Sequence, residues 1–173
     1  MSTATHTPQP IMEMDPRFTF ETNGLYILLS DRGENSYTFH WRFYLHQNST
    51  SGSIYHLIND PDPSIWHFET QPDQNLTYDV PLLVAFQIGV LDPILHTRFL
   101  ERLHEVPVGD SVRFRERINC RVWAKEALFA LDDEGYIILT RSVDALETEV
   151  TNIALQNKSL DRRSVIGSGG RQG

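Results

Sequence analysis

Cysteine is nearly absent from this chain: one thiol, Cys120, among 173 residues. A single cysteine cannot close an intramolecular disulfide, so packing and hydrogen bonding must hold the fold. Basic residues are also in the minority, with 15 Lys and Arg against 23 Asp and Glu and a formal net charge of −8. That sign disfavours a general binder of phosphate backbones, and no nucleic-acid partner is expected. Long apolar runs are missing too. The best candidate, from Pro81 to Leu91, is interrupted by Gln87 and Gly89 and falls short of the roughly 20 residues that span a bilayer. The N-terminus lacks the basic and apolar regions of a secretory signal. Together these absences predict a chain without membrane insertion in a reducing, cytoplasmic compartment. Asn-X-Ser/Thr triplets at Asn48, Asn75 and Asn157 carry no weight outside a secreted chain.

What is present is ordinary for a globular domain: 40% hydrophobic and 22% charged residues. The length suits one domain with its own core. The Thr- and Pro-rich start and the Gly/Ser/Arg-rich end set the expected organisation: a disordered segment over 1–15, one α+β domain over 16–158, and a disordered tail over 159–173.

Strand signals dominate the first half. Leu25 to Leu29 follows an Asn23-Gly24 turn, and Tyr37 to Leu45 is dense in aromatic and β-branched residues. Strand alternation there puts Phe39, Trp41, Phe43 and Leu45 on one face and His40, Arg42 and Tyr44 on the other, more polar one. A Gln47 to Gly52 loop leads into Ser53 to Ile58, which predicts a hairpin that brings His40 near His56. Ile65 to Glu69 reads as a further strand ended by a turn over Pro72 to Asn75, and Val80 to Val90 as a buried strand.

Helix signals dominate the second half. Asp92-Pro93 has the form of an N-cap followed by proline in the first turn, predicting a helix to about His104. Ser111 to Ile118 reads as an extended approach to Cys120, and Arg113, Arg115, Arg117 and Arg121 near the thiol form a solvated face or attract an anion. Asn119 is a good N-cap for a helix to about Leu131 that turns Cys120, Trp123, Ala124, Ala127, Leu128 and Leu131 inward. Ser142 caps a last helix through Ala154. A thiol in a first turn meets unpaired backbone N–H groups and the positive end of the helix dipole, a setting that suits nucleophilic chemistry when a base is at hand.

His40-Trp41-Arg42-Phe43-Tyr44-Leu45, Ile54-Tyr55-His56-Leu57 and Asn119-Cys120 occur in that order. In order and spacing they resemble the permuted papain-like thiol enzymes, the lecithin:retinol acyltransferase and NlpC-type superfamily. The His-Trp strand, Cys120-Arg121-Val122-Trp123 and the Leu-rich helix ending at Gly135 are also similar to a small, uncharacterised, mainly fungal family. The resemblance implies a permuted papain-like α+β fold, an antiparallel sheet packed against helices. It further implies a hydrolase or acyltransferase acting on a small-molecule acyl or amide substrate, with no cofactor and no metal. In that reading Cys120 is the nucleophile, His40 its general base and His56 the residue that orients His40. Trp41, Arg42, Tyr44, Arg121 and Trp123 are the candidates for contacting substrate. A membrane anchor is not evident, and Arg121-Val122-Trp123 stands where the acyltransferases have a polar and aromatic run.

Two other readings stay open. The same fold without thiol chemistry would suit a cofactor-free cyclase or rearrangement enzyme of fungal biosynthesis. A non-enzymatic interaction module would leave Cys120 as a small buried hydrophobe, His40 and His56 as packed residues, and Trp41, Trp66 and Trp123 as core aromatics. His40, His46, His56 and His67 match no compact metal-ligand spacing.

Overall fold

The computed structural model describes residues 18–33, 36 and 38–167. The expected disordered segment over 1–15 lies outside the described residues, as does the tail beyond Gly167.

Strand β1 (Gly24–Asp31), β2 (Phe39–His46), β3 (Gly52–Ile58), β4 (His67–Gln74), β5 (Leu82–Val90) and β6 (Ser164–Ile166) form one sheet in the order β4-β3-β2-β1-β5-β6. Every neighbouring pair is antiparallel except β5 and β6, which run parallel. Three helices follow in the chain: α1 (His96–Glu105), α2 (Cys120–Asp133) and α3 (Val143–Ser159). The architecture is α+β, as expected. Among the described residues, no helix is long and apolar enough to cross a membrane.

The β2–β3 hairpin forms as predicted, with Arg42 opposite His56 and Phe43 opposite Tyr55. Gly52 begins β3 under the preceding strand, and a Cβ there would overlap the Leu45 carbonyl oxygen. That close approach explains a residue with no side chain at the hairpin's end.

Alternation along the strands separates two apolar layers. On the first face Phe39, Trp41, Phe43, Leu45, Tyr55 and Leu57 join residues of all three helices in the main core. Phe43 meets the Trp123 ring of α2 edge to face, and Tyr55 meets Phe99 of α1 in the same way. On the second face Tyr26, Leu28, Tyr44 and Ile54 form a smaller layer covered by Phe18, Phe20, Leu76 and Val165.

Three expectations need correction. The strand over Ile65 to Glu69 starts later: Ile65 is exposed, and β4 runs from His67 through Pro72 to Gln74. Proline is tolerated there because β4 is an edge strand with one free side. The extended approach over Ser111 to Ile118 is a turn closed by a Ser111–Glu116 bridge, with Arg115 at φ 55°. The supposed tail contributes β6, because buried Asn157 of α3 donates to Leu83 O (2.9 Å) and Ser164 Oγ (2.8 Å) and so fastens the returning chain to β5.

Candidate functional site

Cys120 is the first residue of α2. Asn119 caps the helix, its side chain accepting from Val122 N at 2.9 Å. The first turn is then fixed by ion pairs: Arg121 reaches Glu147 of α3 (2.7 Å) and Glu116 (3.0 Å). Buried Lys125 reaches Glu147 (2.5 Å) and Asp144 (2.8 Å). The Arg121 hydrogen bond, with the Arg121 and Lys125 charges, lowers the Glu116 carboxyl, whereas Asp144 and Glu147 raise the Lys125 ammonium despite its burial. The thiol itself is 2% exposed, within 4.0 Å of the Phe39 carbonyl oxygen.

Phe39 begins β2, and the next residue is His40. Strand parity places His40 on the second face with Arg42, Tyr44 and His46, whereas Cys120 belongs to the first-face core. The two side chains therefore approach from opposite sides of a strand end and make no direct hydrogen bond with each other. Arg32 lies between them. Its Nη2 is 3.1 Å from Cys120 Sγ and 3.4 Å from His40 Nδ1. The arginine follows β1 in the β1–β2 connection. Lys158, in the last turn of α3, holds that connection through Asp31 Oδ1 (2.8 Å), Gly33 O (2.6 Å) and Ser36 O (2.8 Å).

From His40 a hydrogen-bonded chain runs across the sheet. His40 Nε2 is 2.8 Å from His56 Nδ1, and His56 Nε2 is 3.0 Å from Glu69 Oε1 on β4. The two ends fix the direction of every bond. A guanidinium only donates and an ionised carboxylate only accepts. His40 Nδ1 must then be bare and accept from Arg32, His40 Nε2–H donates to His56 Nδ1, and His56 Nε2–H donates to Glu69. Both rings are neutral in this pattern. Burial is the main reason, helped by neighbouring positive charge: it holds His40 down to about 3, with His56, Arg42 and Arg32 adding to the effect. Burial also lowers His56, against the raising effect of Glu69, and the His56 hydrogen bond in turn lowers the Glu69 carboxyl.

The structure thus joins His40 to His56 directly and brings Cys120 to the same cluster through Arg32. It does not bring the expected substrate contacts to an open surface. Trp41, Tyr44 and Trp123 are each sealed at 1% exposure or less. Arg42 is spent on Asp79 (2.8 Å) and Ser30 Oγ (2.5 Å) beneath the histidines, and Arg121 on Glu116 and Glu147. All five are engaged in packing or ion pairing within the fold.

Two members of the cluster escape sequence reasoning. Arg32 sits in a polar connection, 88 residues from the thiol it touches, and no local pattern marks it. Glu69 does carry a signal: antiparallel pairing places it directly opposite His56, but only once the register of β4 is known. Among the described residues, no group of three or more His, Cys, Asp and Glu side chains could hold a metal ion.

Comparison with curated proteins and with solved structures finds no match. A family model described as a family of unknown function (DUF6540) matches residues 25–138, a span that includes Arg32, both histidines, Glu69 and Cys120. The chain belongs to that family.

Proposed function

We propose that the protein is a cofactor-free thiol enzyme of acyl transfer or hydrolysis on a diverged permuted papain-like fold. The observation that supports this reading is the meeting of Cys120 Sγ and His40 Nδ1 at one guanidinium nitrogen, with His40 backed by His56 and Glu69. In the proposed cycle the Sγ proton passes to His40 Nδ1 and sulfur attacks the carbonyl carbon of an acyl or amide donor. The leaving amine or alkoxide departs with the proton from Nδ1, leaving a thioester on Cys120. Water, or an acceptor amine or hydroxyl, then attacks the thioester, gives its proton to Nδ1 and releases the product as Sγ recovers that proton. Backbone N–H groups at the start of α2 face the developing oxyanion. The relay keeps Nδ1 bare for the first step, and Glu69 offsets the positive charge that His40 and His56 share once the proton arrives.

A second reading is favoured by one specific observation. A histidine held down to about 3 is a weak base for a thiol, and it sits on the far side of the strand from sulfur. If no covalent step occurs, the polar His40–His56–Glu69 row would orient a small molecule for cyclisation or rearrangement.

Peptide mass spectrometry after incubation with an activated acyl ester separates the two. The thiol reading expects acylation at Cys120 in the folded protein, slowed at least about 100-fold in a folded His40→Gln variant. An unmodified Cys120, or an unchanged rate in the variant, would exclude it.

A further inference from the structure

The cations around the cluster are paired, and Arg32 is the exception. Arg42 has Asp79, Lys158 has Asp31, and Arg121 has Glu116 and Glu147. Arg32 is exposed, has no carboxylate partner among the described residues, and makes both its side-chain contacts through Nη2, to Sγ and Nδ1. The adjacent Asp31 carboxylate is occupied by Lys158 and the Gly33 N–H. An unpaired arginine normally extends into water. This one is anchored over a thiol and an imidazole, with the N–H groups of Nη1 and Nε left open.

Resting on the thiol reading above, we infer that the acyl donor carries an anionic group, a carboxylate or phosphate, that Arg32 recognises bidentately. The guanidinium presents two forks, Nη1 with Nη2 and Nε with Nη2, and each includes Nη2. Each fork uses one of the two Nη2 N–H groups, so a bidentate anion takes a donor from either Sγ or Nδ1. Recognition of the anion and release of one member of the Cys120–His40 pair from Nη2 are one event. In the resting protein Nη2 fills the space that the thiol proton must cross, so a neutral donor leaves the pair blocked. Arg32 is in this sense the specificity-determining residue of the site.

The test uses two alkylating reagents alike in chemistry and different in charge, iodoacetate and iodoacetamide, on the full chain. Cys120 is the only cysteine, so intact mass reads the reaction directly. The expected result is an iodoacetate-to-iodoacetamide rate ratio about tenfold higher in the wild type than in Arg32→Gln, with Arg32→Lys between them. An equal ratio in wild type and Arg32→Gln, with Cys120 reacting in both, overturns the anion site and leaves the thiol reading intact. If neither reagent modifies the folded wild type, the thiol reading fails, and titration with acetate and with acetamide decides the anion site by itself. Shifts of the Arg32 Nε–H and His40 imidazole resonances by acetate alone, retained in Cys120→Ala and lost in Arg32→Gln, uphold it. No shift with acetate overturns it.

Discussion

The two faces of the sheet are both covered, but in different ways. The first face is dry packing: helices α1, α2 and α3 lay Phe99, Leu103, Trp123, Leu128 and Val150 onto Trp41, Phe43 and Tyr55. The second face mixes rings with charge. Beside Tyr26, Leu28 and Ile54 it carries the Arg42–Asp79 pair and the His40–His56–Glu69 chain. Close packing gives the first face its stability, and apolar side chains of suitable volume would serve equally well there. On the second face each polar group depends on its named partner, because a desolvated group left alone is costly. Cys120 belongs to the first face and His40 to the second. The candidate site lies where the two environments meet, at the end of β1 and the start of β2.

Substitutions should expose that difference. The largest expected loss is on the dry face: Trp123→Ala removes a fully buried indole and should cost about 3–5 kcal/mol in denaturant unfolding. A cost under about 1.5 kcal/mol would mean that this face is not tightly packed.

On the second face, Asp79→Ala strands the guanidinium of Arg42, whose side chain is only 10% exposed, and should cost about 3 kcal/mol. The double variant Asp79→Ala/Arg42→Met should recover most of that loss, since the penalty lies in the unpaired charge. Failure to recover would show that Arg42 contributes mainly through its packed stem.

A smaller effect should appear with pH. His40 and His56 are both lowered from the ordinary imidazole value near 6.5. Below that value the unfolded chain takes up protons that the native protein refuses. Stability is therefore full above about pH 6.5 and declines as pH falls, until native His40 itself protonates near 3. The slope from one such histidine is at most about 1.4 kcal/mol per pH unit. His40→Gln should flatten the stability profile between about pH 6 and pH 4, and an unchanged slope would place the titration elsewhere. The smallest change is expected for Glu69→Gln, which keeps a hydrogen-bond acceptor and removes a half-exposed charge. It should alter stability by under about 1 kcal/mol.

The sequence reports some of this directly. Alternation along Phe39 to His46 separates the faces, the short loop before Gly52 implies that His40 and His56 meet, and Asn119 marks the start of α2. Each of these signals is local. What escapes it is tertiary. That Cys120 and His40 lie on opposite faces follows from α2 packing on the Trp41 side, which the helix's own pattern does not specify. The anchoring of Arg32 depends on Lys158, in an α3 turn more than 120 residues away. The burial of Trp41, Tyr44 and Trp123 removes the very side chains that composition alone would offer to a ligand. Strand β6 emerges from a segment of tail-like composition because its stability comes from β5 and Asn157.

The central claim is a directional chain in which His40 presents a bare Nδ1 to Arg32 and Cys120. Nitrogen-15 NMR of the imidazole rings tests it most directly. His40 and His56 are both expected to be protonated at Nε2 alone, with His40 keeping that form from pH 8 down to nearly pH 3. A proton on His40 Nδ1 at neutral pH, or a His40 titration near 6.5, would contradict it.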